Sequence, residues 1–164
     1  MTRTETGFTI VELVFVLVLI GILAVSASSL FFNTSTYNQQ VYFSQVLNSL
    51  RYAQKLAIAT GCNIRVSNSP ANAITVDMQL TGSSCTTGST YVSITDPVSK
   101  ISPYQKVAPT GVTIVPSNNW PFYFDANGQA HETSDGAIVN LSVTVNGMPI
   151  NIVGETGFVN DPNS

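Results

Sequence analysis

Gly7-Phe8-Thr9-Ile10-Val11-Glu12-Leu13-Val14-Phe15-Val16-Leu17-Val18-Leu19-Ile20-Gly21-Ile22-Leu23-Ala24 is an apolar run with one charge, Glu12, and it follows a polar tip, residues 1–7. A carboxylate near one end of a membrane-length apolar helix costs about 2.5–3.5 kcal/mol at mid-membrane, so it needs a reason to be there. What pairs with Glu12 is the question for the rest of the chain.

Three readings of the run compete. An ordinary secretory signal would be cut near Ala24-Val25-Ser26, but Arg3 is offset by Glu5 and Glu12 would sit inside the apolar region. A plain transmembrane helix from Phe8 to about Leu30 would be ~35 Å long at 1.5 Å per residue, enough to span with some tilt. It leaves Glu12 unexplained. In the third reading the chain is cut after Gly7 and the apolar stretch stays. Phe8 then carries a positive amine one helical turn from Glu12, and opposite charges that close offset much of the cost of burial. An amine from a neighbouring subunit would also fix the register between packed helices.

Gly7-Phe8-Thr9-Ile10-Val11-Glu12-Leu13 resembles the prepilin signature of type IV pilins and type II secretion pseudopilins. The resemblance implies cleavage between Gly7 and Phe8 by a prepilin peptidase and N-methylation of Phe8 by the same peptidase/methyltransferase. It implies that the apolar helix is kept for assembly, with Glu12 as its counter-charge. Expected partners are other pilin or pseudopilin subunits and an inner-membrane assembly platform. The expected location is a single pass of the inner membrane with the domain periplasmic, as Arg3 on the cytoplasmic side requires, and later a pilus or pseudopilus. Glu5 makes the leader less basic than usual, and Ser29 stands where many pilins carry a kinking proline.

Beyond the run, no proline precedes Pro70 to stop the helix. After Asn33-Thr34-Ser35-Thr36, apolar residues return at Phe43, Val46, Leu47, Leu50, Ala53, Leu56 and Ala57, the stripe of an amphipathic helix. Gln45, Asn48, Ser49, Arg51, Gln54 and Lys55 are expected to face water, and Gly61 is a natural left-handed cap. A continuous helix from Phe8 to Thr60 would be ~80 Å long; a break would fall at Asn33–Thr36, which are mediocre helix formers.

From Cys62 the period changes to that of strands. Asn63–Val66, Ala73–Met78, Tyr91–Thr95, Gly111–Val115 and Pro121–Phe124 alternate. The segment holding Pro97, Pro103 and Pro109 reads mostly as loop. Asp125-Ala126-Asn127-Gly128 reads as a turn before a short return strand, and Asn146-Gly147 joins Ile138–Val145 to Met148–Val153 as a hairpin. Glu155–Val159 could add an edge strand. The expected class is α+β, a long N-terminal helix covering one face of an antiparallel sheet. The expected organisation is a leader at 1–7, a transmembrane and filament-core helix at 8–32, its amphipathic half at 33–61 and a β-rich extracytoplasmic domain at 62–164. Leu50–Gly61, Phe124-Asp125 with Gly128, and Ile152-Val153 before Thr156-Gly157 resemble the GspH/FimT class of minor pilins and pseudopilins, with a leaning to the MSHA type.

Composition narrows the function. Charged residues make up 9% of the 164 residues and net charge is −3, while Ser, Thr, Asn and Gly are abundant, as in β-rich extracytoplasmic domains. The closing stretch Val115–Ser164 has no Lys or Arg, so nucleic acid is not an expected partner. Cys62 and Cys85 are too few for structural zinc; in an exported domain they become a disulfide worth roughly 3 kcal/mol, and in a reducing compartment two thiols. No cofactor or metal is expected. His131, Ser134 and Asp135 are one loop's neighbours, a spacing that rarely gives triad geometry, so no enzyme is expected. The leading expectation is a structural minor pilin or pseudopilin; the alternative is a membrane-anchored binding or adhesion module.

Overall fold

The computed structural model describes residue 7 and residues 9–31, 34–80, 85 and 90–162, with backbone alone at 25–31 and 34. Two units divide the chain, Met1–Tyr37 and Asn38–Ser164.

The first unit is built on helix α1, Ile10–Phe31. Its sequence has no polar stripe, and every described side chain from Ile10 to Ala24 is exposed. A helix apolar all round is one that is buried, in a protein core or in a membrane. Helix α2 follows at Thr34–Thr60, so Thr34, Ser35 and Thr36 are helical despite their weak propensity. Residues 32 and 33, where the two helices would join or bend, lie outside the described residues.

In the second unit α2 buries Tyr42, Val46, Leu50, Ala53 and Ala57 completely. These positions follow steps of three and four, so they form one face. The helix stops at Gly61, whose φ of +70° favours glycine and whose N–H donates to the Ala57 carbonyl at 2.9 Å. Ser49 corrects the sequence reading, because it is buried. Its hydroxyl donates to the Gln45 carbonyl (2.7 Å) and lies 3.0 Å from the Tyr104 hydroxyl. Tyr42 donates from the core to the carbonyls of Asn72 (3.3 Å) and Lys106 (3.2 Å), and burial pushes its hydroxyl up to about 12.

The strands are β1 Ile64–Ser67, β2 Ala73–Gln79, β3 Tyr91–Ser93, β4 Gln105–Val107, β5 Ile114–Pro116, β6 Phe122–Phe124, β7 Ala130–Glu132, β8 Leu141–Val145, β9 Met148–Ile152 and β10 Val159–Asn160. They form two antiparallel sheets rather than the single one expected. One has the order β3-β2-β1-β6-β7 with β4 also on β2, and the other the order β10-β9-β8-β5. The segment expected to be mostly loop contributes β4, three residues set between Pro103 and Pro109. Strand β5 starts three residues later than expected, since Gly111 turns at φ +82°. The Asn146-Gly147 turn takes positive φ at both residues, 47° and 82°, as a two-residue hairpin needs.

Alternation gives β1, β6 and β8 one inward row each, while β2 is buried from Ala73 to Asp77. Ile64, Val66, Val76, Phe122 and Phe124 from the first sheet share a core with Val143, Val145, Ile150 and Ile152 from the second and with the α2 face. Each such side chain contributes roughly 1.5–3 kcal/mol on burial.

Candidate functional site

At the amino-terminal end, Thr9 caps α1. Its hydroxyl accepts from the Glu12 N–H at 3.3 Å, and its carbonyl accepts from the Leu13 N–H at 3.1 Å. Thr9-Ile10-Val11-Glu12 therefore has capping-box spacing, with the acid at the third helical position. The sequence reading gives Glu12 the role of counter-charge to a Phe8 amine; the Thr-x-x-Glu spacing adds a capping role. A carboxylate in the first turn also meets the positive end of the helix dipole, worth about 0.3–1 kcal/mol. Gly7 precedes this cap in exposed, non-helical backbone with open space where a Cβ would be. Phe8, the other half of the expected cleavage site, lies outside the described residues.

Among the described residues no helix is long and apolar enough to cross a membrane. The described side chains of α1 end at Ala24, short of the ~20 residues a bilayer takes. The expected transmembrane first half at 8–32 is thus not carried by the structure.

In the globular unit, the three sequence segments that carried the second resemblance come together. Gln54 on α2 donates through Nε2 to the carbonyls of Thr156 (2.8 Å) and Gly128 (3.4 Å). Arg51, one turn earlier, donates to the Val159 carbonyl from Nε (3.3 Å) and Nη2 (3.2 Å). Gly157, at φ +60°, has no room for a Cβ, which would run into the Gly128 carbonyl oxygen. Gly128, at φ +81°, would meet Ile58 Cδ1 at 2.7 Å. The β6–β7 turn and the carboxy-terminal segment are thereby pinned to the end of α2. Asp125 shapes that turn by accepting from the N–H groups of Asn127 (2.9 Å) and Gln129 (2.8 Å). These contacts fix the architecture of the domain.

Cys62 and Cys85 form a disulfide, Cα atoms 4.8 Å apart, which ties the segment holding Cys85 to the residue after the α2 cap. Most of residues 81–89 lies outside the described residues.

His131 is not part of a triad. Its Nδ1 is 2.8 Å from the Gly136 carbonyl, which can only accept, so that nitrogen carries a proton. Its Nε2 faces Asp125 Oδ2 at 3.3 Å, and its ring stacks on Tyr123 at 5.2 Å. Asp135 is occupied with the Ala137 N–H at 2.9 Å. Among the described residues no group of three His, Cys, Asp or Glu could hold a metal ion.

The face of the first sheet away from the core carries a register row Ser93–Asp77–Arg65–Tyr123–His131. Arg65 pairs with Asp77 at 2.8 Å, and its guanidinium lies 4.1 Å over the Tyr91 ring. Beside it is a concavity of about 610 Å³ lined by residues including Asn63, Gln79, Tyr123 and Asp135. Trp120 and Tyr123 are half-buried and Phe122 is wholly core.

No protein-family model matches the chain, and no curated protein sequence matches it. Among solved structures it is similar to the minor pseudopilin EpsH from the Type 2 Secretion System of Vibrio cholerae, with a TM-score of 0.51. The match covers 75% of this chain and 94% of that one at 13% identity. Nothing in these matches singles out the MSHA type. At this identity the likeness is one of fold: an amino-terminal helix on antiparallel sheets, as in that minor pseudopilin.

Proposed function

We propose that the chain is a structural subunit, a minor pilin or pseudopilin, that primes, caps or joins a type IV pilus or a type II secretion pseudopilus. The observation that carries this reading is the order of parts along one chain. An exposed Gly7 precedes a Thr9-capped helix that is apolar all round, and a globular unit with a minor pseudopilin's fold follows. An uncovered apolar helix is costly in water and is covered at no such cost by lipid or by sister helices. Before assembly α1 lies in the inner membrane with the domain in the periplasm. After cleavage between Gly7 and Phe8 and methylation of Phe8 by the prepilin peptidase, it enters the filament core through the assembly platform. Glu12 then pairs with the Phe8 amine of its own or a neighbouring chain. Glu12→Ala is expected to leave membrane insertion and processing intact and to remove the chain from sheared filaments. Normal incorporation of that variant would overturn the pairing role.

The 610 Å³ concavity beside Arg65 favours a second reading, a membrane-anchored binding or adhesion module. Saturable binding of a defined ligand by a chain lacking residues 1–32, lost on Tyr123→Ala, would support it.

A further inference from the structure

The 610 Å³ concavity and a second one of about 430 Å³ adjoin at Arg65 and Pro121, which line both. Asn63, Tyr91, Tyr123, Ser134 and Asp135 lie in the wall of the first, and Ser67, Asn68 and Trp120 in the wall of the second. Asn63, Arg65 and Ser67 are alternate residues along β1 and the position before it, so they share one face. They mark ~13 Å of a single groove at ~3.3 Å per residue.

The wall of this groove is aromatic and held in place. The Tyr91 ring lies under the Arg65 guanidinium, 4.1 Å from its centroid, and the Tyr123 ring is stacked on His131 at 5.2 Å. Trp120 stands edge-on to the core ring of Phe122 at 5.0 Å. All three are partly exposed. Rings fixed in this way lose little freedom when a ligand docks on them.

The polar groups narrow the ligand's chemistry. Among the described residues lining the groove, Arg65 is the one cation and Asp135 the one acid. Asp77 neutralises Arg65 at 2.8 Å, so no positive charge is left over for a phosphate, sulfate or carboxylate. Two donors are left over instead. Arg65 Nε and Trp120 Nε1 are buried with no hydrogen-bond partner among the described residues, and a buried donor in that state costs roughly 1–3 kcal/mol. Asn68 adds a third, because its oxygen serves the Ala73 N–H (3.2 Å) and its NH2 group remains a donor. The groove also lies on the face of a sheet, not at its edge. Strands β1 and β6 are paired on both sides, so a peptide could not be added as a further strand and its backbone would have to be met by side chains alone. A sugar meets these conditions. Its hydroxyl and ring oxygens accept from N–H donors, and its C–H faces suit aromatic rings.

We propose that this groove binds a neutral oligosaccharide. Its C–H faces rest against Trp120, Tyr91 and Tyr123, and its oxygens accept from Arg65 Nε and Trp120 Nε1. This rests on the reading of the domain as a binding module and names its ligand class. It uses no residue of α1, so a subunit that primes or caps a filament can carry it.

The detergent-solubilised full-length chain, probed on one array of neutral oligosaccharides, acidic oligosaccharides and peptides, tests it. Neutral oligosaccharides should be retained. Titration with the best retained should saturate and shift the emission of Trp120, the chain's single tryptophan. Tyr123→Ala should weaken binding roughly tenfold, with Tyr123→Phe nearer to wild type. Ser134→Arg places bulk in the same concavity from an exposed position and should block it, which keeps the test decisive if Tyr123→Ala accumulates poorly. Retention of acidic oligosaccharides alone, or of neutral ones undiminished in both variants, would overturn the proposal. A peptide alone retained, and lost in these variants, would overturn the sugar and keep the binding module. No retention that depends on Tyr123 or Ser134 would overturn both.

Discussion

The Gln54 amide donates to the Thr156 carbonyl at 2.8 Å, so a side chain on the helix holds the main chain of the last segment a hundred residues later. The second acceptor, the Gly128 carbonyl, adds the β6–β7 turn to the same clasp. Gln54→Ala should cost about 1–2 kcal/mol by leaving the carbonyls underbonded. Gln54→Glu should cost more at neutral pH, because an acceptor would face two acceptors. Urea unfolding of the detergent-solubilised chain, followed through its single tryptophan, Trp120, measures both.

Gly157→Ala should destabilise further, by at least ~2 kcal/mol. A β-carbon there is disfavoured at φ +60° and collides with the Gly128 carbonyl. Gly147→Ala is the control: its φ is also positive, +82°, but nothing lies within 4 Å. The same unfolding measurement should show the smaller loss at Gly147.

Asp96 gives the domain an acid-sensitive point. Burial raises its pKa, but hydrogen bonds from Lys106, Val98 and Ser99 and the Lys106 charge outweigh that and hold the carboxyl well below the ordinary carboxylate range. A group whose pKa is lower folded than unfolded contributes stability above its unfolded value, about 3.9. That contribution is lost as pH falls through the folded value. Asp96→Asn should therefore lose about 1–3 kcal/mol at pH 7. The gap from wild type should narrow as pH falls below ~4, which unfolding curves at a series of pH values would show.

Reduction of Cys62–Cys85 should cost roughly 3 kcal/mol if the closed loop acts through the unfolded chain. Unfolding with and without reductant checks it, and Cys62→Ser with Cys85→Ser should match the reduced protein.

Much of the fold could be read directly because its signals are local. The stripe Val46–Leu50–Ala53–Ala57, the Gly61 cap and the Asn146-Gly147 turn each act within a few residues. Three things could not be read that way. Ser49 is polar and looked solvated, yet Tyr104, distant in sequence, gives its hydroxyl a buried neighbour. Strand β4 is too short to alternate and exists because β2 offers it an edge. The division into two sheets depends on which strands pair at long range, and alternation alone does not state that. For the candidate site, the GspH/FimT-like segments were visible as motifs, but their meaning emerged only when Gln54, Gly128 and Gly157 met.

The cap position of Glu12 and its proposed counter-charge role can be separated. Glutamine also serves at the third position of a capping box, so if capping were its whole role, Glu12→Gln would assemble like wild type. The counter-charge account expects Glu12→Gln to fail as Glu12→Ala does. Thr9→Ala should cost about 1 kcal/mol at the start of α1 and still assemble. Sheared-filament content of the three variants distinguishes these outcomes.

The central claim is that Gly7 marks a cut and that the helix behind it is kept. Intact-mass measurement of the membrane-extracted chain tests this most directly. The account predicts a chain lacking residues 1–7, beginning at Phe8 and carrying one added methyl group. A mature chain that keeps residues 1–7, or one cut near Ala24-Val25-Ser26 with the helix lost, would contradict it.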